Sequence, residues 1–157
     1  MKIISHRGNL NGVDPKRENT ELYIDEAIEK GFDVEIDVWI DGDKLMLGHD
    51  KPERETSIEF LHDRREHLWI HAKNIRAFDY FVAVTKNRAF FHEKEDHTLI
   101  SACRHLWSHN IPEATPRSII PLLDLKSVKA FDFSILVHGV CTDYPETFKK
   151  RLLNEAN

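Results

Sequence analysis

The side chains best suited to chemistry stand at the ends of apolar, strand-like segments of the chain. His6 and Arg7 end the first such segment, and His49 follows the apolar run LMLG. Glu35 and Asp37 belong to a second segment, VEIDV. Parallel strands bring their carboxyl ends to one face of a barrel, so these residues are expected to converge. Histidine exchanges protons near neutral pH, and paired carboxylates hold divalent cations, so the pattern predicts a metal-containing catalytic site.

Glu35 and Asp37 are two positions apart in an alternating segment. On a strand, residues at this spacing point to the same face, where two carboxylates can grip one hard cation. The alternative is a half-exposed strand whose acids simply face water. A strand that follows a helix in a βαβ unit is normally buried on both faces, which favours the metal site.

Two histidine motifs accompany the acidic pair. His6, Arg7 and Gly8 combine a titratable group, a cation that can fork onto phosphate oxygens, and a residue that lets backbone approach closely. His49 and Asp50 offer a second imidazole at the tip of a hairpin arm. Taken singly, each motif is also typical of an ordinary strand end or turn.

The elements that must position these residues alternate between strands and helices in the first half of the chain. A helix is predicted over 21–31, because apolar residues recur at helical spacing and Gly31 follows. The candidate strands are IISHRG (3–8), VEIDV (34–38), LWIHA (68–72), AFFHE (89–93), TLIS (98–101), HLWS (105–108), SIIPL (118–122) and GVCTD (139–143). A last helix is predicted over 145–156. This rhythm favours either an open doubly wound sheet or a closed barrel.

Eight candidate strands with short connections in the second half predict an α/β protein, a small TIM-like (β/α) barrel with several outer helices shortened or missing. All 157 residues are assigned to a single domain, since 41% hydrophobic composition suffices for one core and no composition shift divides the chain.

Composition excludes several classes of protein. The net charge of −5 and the lack of a Lys/Arg stripe argue against nucleic-acid binding. No apolar run is long enough to cross a bilayer, and no apolar signal segment begins the chain, so no stable membrane insertion is expected. Cys103 and Cys141 lack the spacing of a metal or redox motif, which favours a reducing cytoplasm. Composition does not address the oligomeric state.

Five motifs in order resemble the glycerophosphodiester phosphodiesterase family. They are HRG at 6–8, ENT at 18–20, KG at 30–31, EID at 35–37 and GHD at 48–50. The match is closest over residues 2–50 and returns at GVCTDYPE (139–146). The resemblance implies a (β/α) barrel, a divalent cation such as Mg²⁺ or Ca²⁺, and hydrolysis of small glycerophospho-type diesters.

The resemblance also assigns roles to residues. His6 and His49 are implied as the catalytic histidines, with Arg7 beside them, and Glu35 and Asp37 as metal ligands. Glu18 and Asn19 match the loop beside the site. The third acidic ligand is expected in a pattern such as IEIK, where this chain has IHAK: His71 takes the place of the carboxylate, and Lys73 keeps the basic residue. Since imidazole favours Mn²⁺ or Zn²⁺, either the metal preference has changed, His71 binds weakly, or two carboxylates hold the ion alone.

His92 and Trp107 are candidate substrate contacts in the second half, although aromatic residues at such positions are more often part of the core. Two other functions stay open. One is a phospholipase D-like lysolipid phosphodiesterase, and the other is a non-catalytic barrel that binds phosphate or a sugar phosphate. Binding without turnover would distinguish the latter.

Overall fold

The computed structural model describes residues 1–155. Its strands are β1 (Lys2–His6), β2 (Asp33–Asp41), β3 (Lys44–Leu47), β4 (Arg54–Thr56), β5 (Leu68–Ala72), β6 (Ala89–Phe90), β7 (His97–Leu99), β8 (Leu106–Ser108), β9 (Ser118–Pro121) and β10 (Gly139–Thr142). Its α-helices are α1 (Glu21–Glu29), α2 (Ile58–Asp63), α3 (Ile75–Tyr80), α4 (Leu125–Ala130) and α5 (Pro145–Glu155). A π-helical segment (Phe81–Thr85) continues α3, and a 3₁₀ turn (Ile111–Glu113) precedes β9. No helix within residues 1–155 is long and apolar enough to span a membrane.

All ten strands belong to one mixed, curled sheet. Seven of them run parallel, in the order β6-β5-β2-β1-β10-β9-β8. Strand β7 pairs antiparallel with β8, and the β3–β4 arm pairs antiparallel with the carboxyl-terminal part of β2. The parallel strands therefore end along one rim of the sheet, where β3 and β4 form a side wall.

The predicted small TIM-like (β/α) barrel is wrong. The structure is a half-barrel with few helices, and three of its strands are antiparallel to their neighbours. Within the described chain, no helix lies in segments 91–96 and 100–105, which join β6 to β7 and β7 to β8. These segments are shorter than the dozen or so residues that a helical crossover requires, so the chain turns back antiparallel instead.

Each of the eight candidate strands overlaps an observed strand, although β3 and β4 complete the sheet as an additional arm. The helix predicted over 21–31 is confirmed as α1: Thr20 caps its first turn and Gly31 follows its end with a φ of 83°. The last predicted helix is confirmed as α5 over Pro145–Glu155, while position 156 lies outside the described residues.

The concave face of the sheet has an apolar layer. It contains Ile4, Trp69, Phe90, Ile100, Trp107, Ile119 and Cys141. Because side chains alternate along a strand, His6 and His71, two positions after Ile4 and Trp69, point to the same face at the carboxyl-terminal rim, beside Glu35 and Asp37 of β2. These positions are polar, so the apolar layer forms the floor beneath them. The opposite face is covered by α1, α2 and α3 on one side and by α4 and α5 on the other.

Candidate metal and phosphate site

The polar rim brings together residues from three adjacent strands. In the β1–β2 register His6 lies opposite Glu35, and in the β2–β5 register Asp37 lies opposite His71. Paired residues in a parallel sheet project to the same face, so all four side chains enter the concave side. All four residues are buried. The structure thus brings His6, Glu35 and Asp37 together, as the sequence led us to expect, and adds His71 to them.

Glu35, Asp37 and His71 form the one candidate metal-binding group found within residues 1–155. One ligand atom from each lies within 4.8 Å of the others. The His71 Nδ1 atom is 3.2 Å from Asp37 Oδ1 and 3.7 Å from Glu35 Oε1. Two carboxylates and an imidazole are a donor set that divalent metals accept.

Glu35 supplies a further sign that a cation fits. It is 2% exposed, and its buried Oε2 atom has no hydrogen-bond partner among the described residues. Burial, followed by the negative charge of Asp37, raises the pKa of Glu35. A buried carboxylate without a hydrogen bond is costly, and a bound cation would remove that cost.

Asp37 is the best-compensated acid of the cluster. The Arg7 Nε atom lies 2.9 Å from Asp37 Oδ2, and the Asn19 Nδ2 group donates to the same oxygen at 2.9 Å. Burial opposes ionisation, but hydrogen bonds with His49 and His71 and the charge of Arg7 outweigh it and hold the pKa of Asp37 well below its usual range. The Asp37 Oδ1 atom stays directed toward the histidines and is free of the contacts with Arg7 and Asn19.

His6 is oriented from behind by Asp143. Its Nδ1 atom is 2.7 Å from Asp143 Oδ1, while its Nε2 atom faces Glu35 Oε2 at 3.8 Å. Burial by itself would lower the pKa of His6, but the hydrogen bond to Asp143 and the charges of Glu35 and Asp143 raise it. The Asn9 Nδ2 group also donates to Asp143 at 2.7 Å, which fixes this carboxylate.

His49 approaches the cluster from the other side, on the turn after β3. Its Nδ1 atom lies 3.3 Å from Asp37 Oδ1, 2.6 Å from Arg7 Nη2 and 3.3 Å from Lys73 Nζ. The preceding Gly48 has a φ of 149°, and a Cβ atom there would lie 2.2 Å from the Lys51 carbonyl oxygen. The turn therefore requires glycine to deliver His49, whose side chain is 41% exposed.

The loop after β1 holds the cationic side of the site in strained backbone conformations. Arg7 and Asn19 have positive φ angles of 54° and 53°, and the Asn19 N–H donates to the Arg7 carbonyl at 3.1 Å. Such conformations of non-glycine residues cluster at functional sites. Glu18 accepts from Arg7 and from Asn9, at 3.4 and 2.6 Å. A cavity of about 160 Å³ opens here, and Arg54 joins its lining.

Lys73 reaches the cluster, with its Nζ atom 3.5 Å from Asp37 Oδ1. His92 contacts the cluster only through His71: the two rings stack with centroids 4.7 Å apart and an interplanar angle of 6°. Trp107 does not enter the site. It is 4% exposed and stacks on Phe90 in the apolar floor, so the substrate contact suggested for it is corrected to a core position.

Neither Asn9 nor Asp143 was assigned a role from the sequence. Asp143 stands directly after the last strand in the TDYP motif, which is a recognisable signal, but its partner is 137 positions away. Only the β1–β10 pairing brings it behind His6. Asn9 carries no sequence signal apart from its place in the loop.

The chain matches no known protein-family model, no curated protein and no solved structure. The chemistry of the site is therefore argued from its geometry. Two histidines approach different carboxylates of a buried pair, while Arg7 and Lys73 lie beside it. Such an arrangement can bind an anion, neutralise its charge and exchange protons on two sides of it.

Proposed function

We propose that the protein is a metal-dependent phosphodiester hydrolase of the glycerophosphodiester phosphodiesterase type. One observation carries the proposal: His6 and His49 stand at different carboxylates of the Glu35–Asp37 pair. General acid–base hydrolysis of a diester needs one group that accepts a proton from the nucleophile and another that protonates the leaving alkoxide. Two separated imidazoles at one charged site meet that need.

Glu35, Asp37 and His71 would hold the divalent cation. When bound, such an ion stabilises negative charge on a phosphate oxygen as a Lewis acid. The sequence resemblance supports the same carboxylate pair as metal ligands. His71 stands where a third carboxylate is expected.

The remaining side chains bind and orient the substrate. Arg7 forks onto phosphate oxygens, because its guanidinium presents parallel donors, and Lys73 adds a second positive charge. Asp143 holds the His6 ring at Nδ1, which leaves Nε2, on the Glu35 side, to exchange a proton with the substrate. The resemblance favours attack by a neighbouring hydroxyl of the substrate, which forms a cyclic phosphate.

The proposed substrate is a small, water-soluble diester. The rim is lined by charged and polar groups, and this suits a deacylated glycerophosphodiester better than a lipid. Both cysteines are unpaired, which is compatible with the cytoplasm as the site of action.

The test is turnover of a chromogenic phosphodiester and of a deacylated glycerophosphodiester by chelator-treated protein supplied with Mg²⁺, Ca²⁺, Mn²⁺ or Zn²⁺ in turn. His6→Ala and His49→Ala should each lower the rate by about 10²- to 10⁴-fold while the protein stays folded. His62→Ala, at an exposed histidine outside the site, is the matched control.

Undiminished hydrolysis by either folded site variant would overturn the proposal. Phosphate binding without turnover under all four metals would favour the non-catalytic binding protein. Turnover of a lysolipid but not of the deacylated diester would favour the phospholipase D-like activity.

A further inference from the structure

His71, the third candidate metal ligand, packs against two aromatic rings. The His71 ring is nearly parallel to Phe90, at a centroid distance of 4.9 Å and an interplanar angle of 9°, and to His92, at 4.7 Å and 6°, and these two neighbours lie 5.9 Å from each other. Trp107 extends the stack on the far side of Phe90, at 4.4 Å. A buried ring in contact with two aromatic neighbours has little freedom to rotate, so its Nδ1 atom stays directed at the two carboxylates.

The contacts of Glu35 and Asp37 define where a single cation could bind between them. Asp37 Oδ2 is occupied by Arg7 and Asn19, whereas Oδ1 faces His71. The ion-pair contacts of Glu35 within the described chain are with His6 and His71, at 3.8 and 3.7 Å, both longer than a hydrogen bond. The candidate ligand atoms are thus one oxygen of each acid and the His71 Nδ1 atom. Asp37 Oδ1 also lies 3.3 Å from His49 Nδ1 and 3.5 Å from Lys73 Nζ, so a bound cation would replace these contacts.

From this donor set we propose that the site selects a first-row transition-metal ion such as Zn²⁺ or Mn²⁺ over Mg²⁺ and Ca²⁺, with His71 as the selecting ligand and Phe90 and His92 as its positioning residues. Imidazole nitrogen suits transition metals, whereas Mg²⁺ and Ca²⁺ require oxygen ligands. The proposal shares the metal site of the proposed function but does not require that the site be catalytic.

The test compares metal affinities of the chelator-treated full chain by isothermal titration calorimetry. His71→Glu supplies the oxygen ligand that Mg²⁺ prefers. We expect this change to lower the ratio of the Mg²⁺ to the Zn²⁺ dissociation constant by about tenfold or more, because it alters ligand type and leaves the two acids in place. The control His62→Glu makes the same chemical change at an exposed position and should leave the ratio unchanged.

A second measurement is made first on the wild-type chain. With Mn²⁺ bound to protein whose histidines carry ¹⁵N, pulsed electron paramagnetic resonance should show hyperfine coupling to a histidine nitrogen. This readout does not depend on whether any variant folds. Its absence would overturn the assignment of His71, as would a coupling that persists in folded His71→Glu protein.

The positioning residues are tested by selectivity and not by stability alone. His92→Ala removes one of the two aromatic neighbours of His71 and should weaken Zn²⁺ binding by about tenfold while leaving Mg²⁺ binding unchanged, since Mg²⁺ depends on the two carboxylates. His109→Ala is the matched control, because its ring contacts His92 at 5.0 Å and is not stacked on His71. Equal loss of both metals in His92→Ala would contradict the positioning role.

The outcomes separate this inference from the proposed function. Selective Zn²⁺ or Mn²⁺ binding without phosphodiester turnover would support the inference and contradict the enzymatic proposal. If the protein turns over the diester and binds Mg²⁺ or Ca²⁺ as tightly as Zn²⁺, the enzymatic proposal is supported and the inference about metal selection is contradicted. Failure of all four ions to bind the wild-type chain would overturn the metal inference directly.

Discussion

At the residue scale, the contact between His6 and Asp143 predicts a kinetic effect. Asp143→Asn keeps the size of the side chain but replaces a charged hydrogen bond at 2.7 Å with a neutral one. A charged hydrogen bond contributes about 1.5–3 kcal/mol. If that stabilisation acts on the protonated His6 during reaction, kcat should fall by about 10- to 100-fold.

The measurement is kcat and KM on the chromogenic diester. The control is Asp124→Asn, the same chemical change at the N-cap of α4, outside the site, where asparagine caps a helix as well as aspartate does. A rise in KM with unchanged kcat in Asp143→Asn would contradict the assigned orientation of His6.

Glu35 predicts an effect on stability that changes sign with metal. In the metal-free protein its buried carboxylate has an oxygen without a hydrogen bond, so Glu35→Gln should raise the free energy of unfolding by about 1–3 kcal/mol. With Zn²⁺ present the wild-type protein should be more stable than Glu35→Gln. A cation that binds only the folded state stabilises it, and the variant has lost one of the ligands.

Thermal and urea unfolding with chelator and with added Zn²⁺ measure both parts of this prediction. Glu59→Gln, at an exposed position, serves as the control. Lower stability of Glu35→Gln in chelator would show that the carboxylate is compensated without a metal.

At the scale of elements, the turn after β1 depends on close packing against α1. Gly8 has a φ of 88°, and a Cβ atom there would lie 3.1 Å from the backbone carbonyl of Tyr23. Gly31 has a similar φ of 83° but open space around it. Alanine at either position carries backbone strain of about 1–2 kcal/mol, and only Gly8→Ala adds a steric contact.

We therefore expect Gly8→Ala to destabilise the protein by more than Gly31→Ala, by about 1 kcal/mol or more in chemical unfolding. The difference between the two variants isolates packing from strain. Equal losses would mean that the loop shifts freely away from α1, and His6 and Arg7 would then not be fixed by this contact.

The carboxylate pair of the site was predictable from the sequence because its geometry is local. Glu35 and Asp37 share a face through strand alternation alone, and His71 occupies the matching position on the neighbouring strand. The sequence did not indicate how far each side chain lies from the carboxyl-terminal rim of the sheet. His92 stacks near the rim and Trp107 lies in the floor, although both belong to strand-like aromatic segments.

The architecture was less predictable than its strands. The β-branched and aromatic runs identified most of the strands, but not their direction, which depends on the length of the connections. The short strand β4 has the sequence RET and lacks apolar alternation. It is stabilised by pairing with β3, and no local sequence pattern predicts it.

At the scale of the whole molecule, the end of the sheet opposite the site contains a second group of histidines. The His105 and His138 rings stack with centroids 3.6 Å apart, and Trp69 lies 6.1 Å from both. Burial, followed by the positive charges of His105, Lys2, the amino terminus and Arg88, lowers the pKa of His138. Burial also lowers the pKa of His109, and that of His92 to about 4.

These shifts predict an acid-labile fold. Below the ordinary histidine pKa of 6.5, the unfolded chain protonates these three histidines before the folded chain does, so they make unfolding easier as the pH falls. The raised pKa of His6 acts in the opposite direction. The contribution of these histidines to the free energy of unfolding is most favourable above pH 6.5. It is lost progressively as the pH falls toward their lowered pKa values in the folded protein. Each histidine that takes up a proton on unfolding contributes a slope of up to about 1.4 kcal/mol per pH unit.

His138→Asn should reduce that slope between pH 6.5 and pH 5, because it removes one titrating group from the cationic end of the sheet. Urea unfolding in chelator at several pH values measures the slope without a contribution from bound metal. His62→Asn removes an exposed histidine and should keep the wild-type slope. An unchanged slope in His138→Asn would mean that His138 accepts its proton in the folded protein as readily as in the unfolded chain, and acid lability would then rest on the histidines at the site end.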